Sequence, residues 1–236
     1  MWHNPRLLNL AAGTLVGIAV FVFVIAAALA VARSPLYPVT VVELTHPLGK
    51  TTREELERAL RGRLGGNFFA LAPDDIRAAL EAMPWVRRAS VRRVWPDRLQ
   101  VALEERIALA RWGEHALLDV HGERFSGSSE SPLPLFIGPW GSEREVALRY
   151  AIFAEALAPL GARLERLVLT PRYAWRLTLD SGLEIMLGRD VDGASARLAR
   201  FVEAYPATLG RMARRHEYVD LRYPNGFALR APEPKS

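Results

Sequence analysis

Apolar and polar positions change their spacing several times along the chain, and each spacing predicts a different element. Residues 10–32 form an apolar run that contains no charged residue. At the helical rise this run spans about 35 Å, enough to cross the apolar core of a bilayer. It also contains the steps Ala28-Leu29-Ala30 and Ala30-Val31-Ala32, which a signal peptidase could cut. Two interpretations therefore stay open, a retained membrane helix and a removable signal, and the length of the run favours the membrane helix.

A short head at residues 1–9 precedes this run, and a proline-containing linker at residues 33–37 follows it. Residues 38–105 then predict a small domain of two helices and three strands. The strand VTVVEL is followed by a helix that opens with the capping box Thr52-Arg53-Glu54-Glu55 and by a second helix near Pro73. Two alternating runs joined at Trp95-Pro96-Asp97 complete it, with Ala89, Val91 and Trp95 expected on one face. Two helices can cover one face of such a sheet.

Residues 106–231 predict a second domain with more strands, and residues 232–236 a disordered tail. ALLDVHGERF at 116–125 predicts a short hairpin, and a clearer hairpin turns at Asp180-Ser181-Gly182. Its apolar alternation comprises Tyr173, Trp175, Leu177, Leu179, Leu183, Ile185 and Leu187. Helical spacing predicts two buried helix faces: Val146, Tyr150, Phe153, Leu157 and Leu160, then Leu198, Phe201, Val202 and Tyr205. The last patterned stretch, YVDLRYPNGFALR at 218–230, predicts a hairpin around Asn225-Gly226 and poses the question of what covers its open side.

The charge distribution adds little to the prediction of function. The formal net charge is +5, and because lysine occurs only at Lys50 and Lys235, arginine supplies nearly all the positive charge. The densest basic stretch, VRRASVRR at 86–93, lacks the interleaved aromatic residues of an RNA-binding sheet. It is interpreted as a solvated strand face whose arginines pair with nearby carboxylates. The chain has no cysteine, which excludes disulfides, thiolate metal sites and a cysteine nucleophile.

The sequence offers little catalytic chemistry. Five histidines are scattered without the close pairs typical of metal ligands. Asp119 and His121 lie near a serine-containing loop, but the Gly-x-Ser-x-Gly sequence of a nucleophile elbow is missing. Glu104 and Glu105 are adjacent and so would face opposite sides of a strand. We therefore predict no catalytic residues, no metal and no cofactor.

The order of these motifs resembles a specific family. The segments GGNFFALAPDDI, PWVRRASVRRVWPDRLQVALEE, LLDVHGERF, WRLTLDSGLEIMLGR, RLARFVEAYP and YVDLRYPNGFAL are similar to those of the bacterial FtsQ/DivIB cell-division family. The resemblance implies an α+β fold: one transmembrane helix at 10–32, a POTRA domain (β-α-α-β-β) at 38–105 and a mixed α/β domain with a mostly antiparallel sheet at 106–231. It also implies a single-pass type II protein of the inner membrane, with its body in the periplasm and concentrated at the division septum.

The resemblance further implies a non-enzymatic scaffold that bridges early and late division proteins. Its expected partners are FtsB and FtsL, with other contacts to FtsK-, FtsW-, FtsI- and FtsN-like proteins, and no nucleic acid or small-molecule substrate. FtsB would add a strand to the open carboxy-terminal edge of the second domain. The residues that the resemblance places at this contact are Arg172, Arg222, Tyr223, Asn225, Gly226, Phe227, Ala228, Leu229 and Arg230. Many relatives carry a tryptophan near Ala231, and this chain has none there.

Two other functions remain to be weighed. A POTRA-type chaperone for outer-membrane proteins shares the first domain, but such domains usually precede a long β barrel, for which the chain has no room. A membrane-tethered periplasmic hydrolase of the cell wall would need converging acidic or nucleophilic groups, and the sequence indicates none.

Overall fold

The computed structural model describes residues 5–33, 38–65, 68–69, 71–189, 191–211, 217–223 and 226–230. The turn residue Asn225 and the tail at 232–236 lie outside these ranges. Contacts between Cα atoms divide the chain into two compact units, Met1–Glu105 and Arg106–Ser236. Each unit is described by itself.

The first unit begins with a long apolar helix, α1 (Pro5–Arg33). Its stretch Asn9–Ala30 has a mean hydropathy of 2.6 and no part of it is buried inside the protein. Among the described residues, this is the one helix long and apolar enough to cross a membrane. The helix fits a single-pass membrane protein.

The rest of the first unit has the predicted order of strand, helix, helix, strand, strand. The elements are β1 (Val41–Leu44), α2 (Arg53–Leu60), α3 (Pro73–Glu81), β2 (Val86–Val94) and β3 (Arg98–Glu105). In the sheet, β3 lies between β1, which is parallel to it, and β2, which is antiparallel. The predicted capping box is present: the Thr52 hydroxyl accepts from the Glu55 N–H, and the Glu55 carboxylate accepts from the Thr52 N–H. This POTRA-type order confirms the predicted fold of the unit.

One face of this sheet buries the core against the two helices. Leu56, Leu60, Ile76 and Leu80 from the helices meet Ala89, Leu99 and Val101 from the strands. The prediction for Trp95 is wrong, because its side chain is 72 % exposed. Trp95 follows the end of β2 at Val94, so strand alternation no longer directs its side chain. Arg87, within the basic stretch, pairs with Glu104 at 2.7 Å, as the sequence predicts for these arginines.

The second unit is built on one large mixed sheet. Its strands are β4 (Ala108–Trp112), β5 (Ala116–Asp119), β6 (Arg124–Phe125), β7 (Leu135–Ile137), β8 (Leu164–Leu169), β9 (Trp175–Leu179), β10 (Glu184–Gly188), β11 (Tyr218–Asp220) and β12 (Ala228–Arg230). Within the part of the chain that the structure describes, they form a nine-stranded sheet in the order β12-β11-β10-β9-β8-β7-β4-β5-β6. Most neighbours are antiparallel, and the parallel pairs are β10 with β11, β4 with β7 and β7 with β8. The predicted fold class is therefore confirmed.

Two helices, α4 (Glu143–Leu157) and α5 (Val191–Ala204), pack against each other and against the sheet. The predicted hairpin is present as β9 and β10, and its alternating leucines are fully or almost fully buried. Phe153 of α4 packs edge-to-face on Trp175 of β9, with ring centroids 5.6 Å apart. The alternation predicted to begin at Tyr173 starts only at Trp175: the Tyr173 backbone adopts a positive φ of 58° in the turn before β9, and its side chain is exposed.

The Asp119 side chain is held in place by hydrogen bonds and an ion pair. Its buried carboxylate accepts the N–H groups of His121 and Glu123 and pairs with Arg106 at 2.7 Å. These bonds close the turn between β5 and β6. The carboxylate therefore organises the turn rather than orienting the His121 ring.

Candidate partner-binding site

Several chain segments meet at one end of the sheet because of its topology. Since β10 and β11 are parallel, their last residues lie side by side, and antiparallel pairing of Gly188 with Trp175 brings in the turn before β9. Arg172 in that turn, Arg189 just after β10 and Arg222 just after β11 consequently line one surface depression of about 590 Å³. We call this the arginine depression. Three arginines suit a carboxylate-bearing ligand, because a guanidinium group is permanently charged and carries several N–H donors.

Gly188 explains how closely Arg222 approaches β10. Its φ of 83° lies in the left-handed region, which glycine adopts without strain. A Cβ built at this position would lie 3.0 Å from Cγ of Arg222. Glycine here therefore both permits the backbone bend at the end of β10 and leaves room for the arginine that lines the depression.

Arg222 is held by Asp220, two residues earlier. Its Nε lies 2.9 Å and 3.0 Å from the two carboxylate oxygens of Asp220, and its backbone N–H also donates to that carboxylate. Asp220 is buried whereas the Arg222 side chain is 60 % exposed. The side-chain hydrogen bonds from Arg222 hold the pKa of Asp220 below its ordinary value, against the opposing effect of burial. The pair engages Nε and Nη2 of the Arg222 guanidinium, whereas 60 % of the Arg222 side chain stays exposed to a ligand.

This pair predicts an acid-dependent stability. Because the folded-state pKa of Asp220 is depressed, its contribution to stability is present above the unfolded carboxyl pKa of about 3.9 and is lost as the pH falls through the folded value. Replacing Arg222 with Gln is expected to lower the free energy of unfolding at neutral pH by about 1–3 kcal/mol, since the buried carboxylate of Asp220 loses its guanidinium donors and keeps only the backbone N–H of residue 222. Urea unfolding of both proteins between pH 2 and 7 should show a difference that is constant above about pH 5 and shrinks below about pH 4.

An Arg172→Gln variant is the control, since Arg172 lines the same depression whereas the hydrogen bonds to Asp220 come from Arg222. The free energy of unfolding of the Arg172→Gln variant should show the same pH dependence as that of wild type. A difference between wild type and Arg222→Gln that stays constant down to pH 2 would contradict the assignment.

A second depression, of about 360 Å³, lies between α5 and the segment leading into β12. We call it the aromatic groove; its lining residues are Arg197, Arg200, Phe201, Ala204, Leu221, Tyr223, Gly226 and Phe227. Phe227 packs edge-to-face on Phe201, with ring centroids 5.8 Å apart. It directly precedes the edge strand β12, which begins at Ala228. Tyr223 is 56 % exposed. An exposed aromatic side chain beside a half-apolar groove suits an apolar residue of a bound peptide.

The edge strand β12 turns the main chain of Leu229 away from the described sheet. In β11, the carbonyl of Glu217 and the N–H of Leu221 bond to β10, so the alternate residues Tyr218 and Asp220 face β12. Their partners in the register are Arg230 and Ala228, which leaves the N–H and C=O of Leu229 directed away from β11. Among the described residues, β12 ends the sheet on this side. Leu229 therefore offers one donor and one acceptor to an added strand.

The structure brings most of the residues predicted for this contact to one end of the sheet. Arg172 and Arg222 line the arginine depression, and Tyr223, Gly226 and Phe227 line the aromatic groove. Ala228, Leu229 and Arg230 form β12, antiparallel to β11, which confirms the predicted closing strand pair. Sequence reasoning missed Arg189, which lines the arginine depression. The signal for Arg189 was its place directly after a predicted strand.

Comparison with known proteins matches both units. The family model described as "POTRA domain, FtsQ-type" matches residues 38–106, and "Cell division protein FtsQ/DivIB, C-terminal" matches residues 110–222. The second match ends at Arg222, so Tyr223 and the edge strand lie beyond it.

Relatives named cell division protein FtsQ match over almost the whole chain. The protein of Burkholderia pseudomallei is 42 % identical, with 98 % of this chain and 94 % of the relative covered. That of Bordetella pertussis is 39 % identical over 99 % and 94 %, and that of Nitrosospira multiformis is 37 % identical over 98 % and 99 %.

Fold and site together define a POTRA-bearing protein with an apolar helix and a mixed α/β domain that presents an open sheet edge. The chain belongs to the FtsQ/DivIB family of cell division proteins. Membership in this family assigns it a role in the divisome and makes other divisome proteins its partners.

Proposed function

We propose that the protein is a non-enzymatic, single-pass scaffold of the inner membrane that binds FtsB, joined to FtsL, at the edge strand β12. Its body, with domains at 38–105 and 106–231, lies in the periplasm at the division septum and links early to late division proteins. The observation that carries the proposal is the open edge of β12 at Leu229, beside the arginine depression and the aromatic groove. An added strand would satisfy the Leu229 N–H and C=O.

The two depressions supply side-chain contacts that add to the few main-chain bonds of a short strand. β12 comprises three residues, Ala228–Arg230, and so offers few main-chain bonds. Affinity and specificity must therefore come largely from side chains. We propose that Arg172, Arg189 and Arg222 bind an acidic residue of FtsB and that the aromatic groove accepts an apolar one. Tyr223, at the rim of that groove, is the expected aromatic anchor, with Gly226, Phe227 and Arg230 in contact beside it.

Neither alternative function gains support from a specific observation. Among the described residues, no group of three His, Cys, Asp or Glu side chains is placed to hold a metal ion. Asp119, the acid beside His121 and the serine-containing loop, is occupied by Arg106 and by two backbone N–H groups. The relatives reported above are named as cell division proteins.

Amide-resolved hydrogen exchange on the full chain in detergent, with and without the periplasmic segment of FtsB, tests the proposal. The Leu229 amide, which no described strand of this chain pairs with, should become protected when FtsB binds. Ala228 and Arg230 already face β11, so their protection should change less.

The strand β6 (Arg124–Phe125) is the internal control, because it ends the described sheet on the opposite side. Its amides should exchange at the same rate in both samples. Binding of FtsB that leaves Leu229 unprotected, or that protects β6 instead, would exclude strand addition at β12.

A further inference from the structure

The helix α4 has apolar side chains on two opposite faces. Val146, Phe153 and Leu157 are fully buried against the core. On the opposite face, Leu148 is 69 % exposed and Ile152 is 43 % exposed. A surface helix usually has one apolar stripe directed at the core, so a second stripe in water indicates a contact that the isolated chain does not make.

The second stripe continues beyond the helix. Trp140, in the turn before α4, is 90 % exposed. A groove of about 470 Å³ runs along the same side of α4, and exposed Val120 contributes to its lining. We call this surface the α4 patch; it consists of Val120, Trp140, Arg144, Leu148, Ala151, Ile152, Glu155 and Pro159. Tryptophan and arginine are among the residues enriched at the energetic centres of protein interfaces.

The charges of the α4 patch oppose the dipole of their own helix. Arg144 lies in the first turn and Glu155 in the last turn. At 100° per residue both fall on the same face as Leu148, and both are exposed. Cations are favoured at helix C-termini and anions at N-termini, so each charge is at the wrong end for its own helix. The dipole of an antiparallel neighbouring helix would favour both charges. Arg144 would lie beside the C-terminus of that neighbour, and Glu155 would lie beside the N-terminus of that neighbour.

We propose that the α4 patch binds a second copy of this chain, with the two α4 helices antiparallel about a two-fold axis between residues 149 and 150. In this register Arg144 lies opposite Glu155 of the second copy, and Leu148 opposite Ala151 of the second copy. Trp140 meets Pro159 of the second copy. The same patch is its own complement, as an isologous two-fold interface requires.

The contact is small, so it depends on the membrane. One pair of short helices buries less than the roughly 1,200 Å² of a stable complex in solution. The apolar helix α1 fits a membrane anchor, and anchoring two chains in one bilayer raises their effective concentration. We therefore expect a weak dimer that forms between full chains in a membrane and dissociates when they are diluted in detergent.

Because the chain contains no cysteine, introduced thiols report the proposed register directly. One tagged chain carries Leu148→Cys and a second, with a different tag, carries Ala151→Cys; both are reconstituted in lipid vesicles and oxidised. A disulfide between the two tags is expected. Adding Arg144→Glu to both chains, or Glu155→Arg to both, places like charges opposite each other and should reduce the cross-linked fraction at least tenfold.

The decisive combination has Arg144→Glu in one chain and Glu155→Arg in the other. Each changed residue then lies opposite a charge of the other sign, and cross-linking should recover to near the wild-type fraction. The changed residues Arg144, Leu148, Ala151 and Glu155 are all exposed. The thermal unfolding midpoints of the variants should therefore match that of wild type.

Absence of the cross-link with wild-type charges, or failure of the mixed pair to recover it, would overturn the proposal. Cross-linking that is insensitive to every charge reversal would also overturn the proposal, because chance collisions in the bilayer would then account for the disulfide. Loss of cell division in Arg144→Glu or Leu148→Glu strains without any cross-link would assign the patch to a different protein and would likewise overturn it. The result is independent of FtsB binding at β12.

Discussion

Replacement of Leu229 by proline is expected to reduce FtsB binding by at least 100-fold. Proline lacks the N–H that Leu229 directs away from β11, and its ring disfavours close approach of an added strand. The bonds between β12 and β11 use Ala228 and Arg230, so the edge strand itself should persist. Titration of the full chain with the periplasmic segment of FtsB, by calorimetry or fluorescence anisotropy, measures the loss.

Leu229→Ala is the matched control. The Leu229 side chain packs partly against the core, and both substitutions remove that packing, but alanine keeps the N–H. The difference in affinity between the two variants isolates the main-chain donor. Equal affinities for Leu229→Pro and Leu229→Ala would show that FtsB does not pair with this edge. Phe227 is a less informative position, because its ring packs on Phe201 and its loss would disturb the aromatic groove as well.

Reversing the charge of Arg172 is the second large expected effect. Arg172→Glu should weaken FtsB binding at least 30-fold, about 2 kcal/mol, because it replaces a cation of the arginine depression with an anion that repels the acidic partner residue. Wild-type affinity should fall as salt rises from 50 to 500 mM, and the variant should respond much less.

The control is Arg166→Glu on the exposed middle of β8, which makes the same change in net charge away from the depression. It should bind within about twofold of wild type if the effect is local, since distant surface charges are screened beyond roughly 10 Å. Equal losses for Arg172→Glu and Arg166→Glu would indicate only long-range attraction and would remove Arg172 from the contact.

The fold was predictable wherever one face of an element is buried. The alternation of Leu177 and Leu179 with Ile185 and Leu187 predicted the β9–β10 hairpin, because a strand with one buried face must alternate. Alternation failed at Trp95 and Tyr173, where the chain leaves the strand and a turn directs the side chain. The domain limits at 38–105 and 106–231 stay a prediction.

The candidate site was predictable only in part, for reasons of topology. Arg172 and Arg222 came from the family resemblance, whereas Arg189 joins them because β10 and β11 are parallel and end side by side. No local periodicity contains that information. Leu148 and Ile152 were missed because a helical repeat identifies an apolar face and does not exclude a second one.

The shortness of β12 has a consequence for protein quality control. A long, flat unpaired edge would recruit any extended polypeptide, including amyloid-forming chains. Within the part of the chain that the structure describes, β12 comprises only Ala228–Arg230, which is too short to template such growth, and the exposed Arg230 adds a charge at the rim. The protein can thus await its ligand without becoming a seed for aggregation.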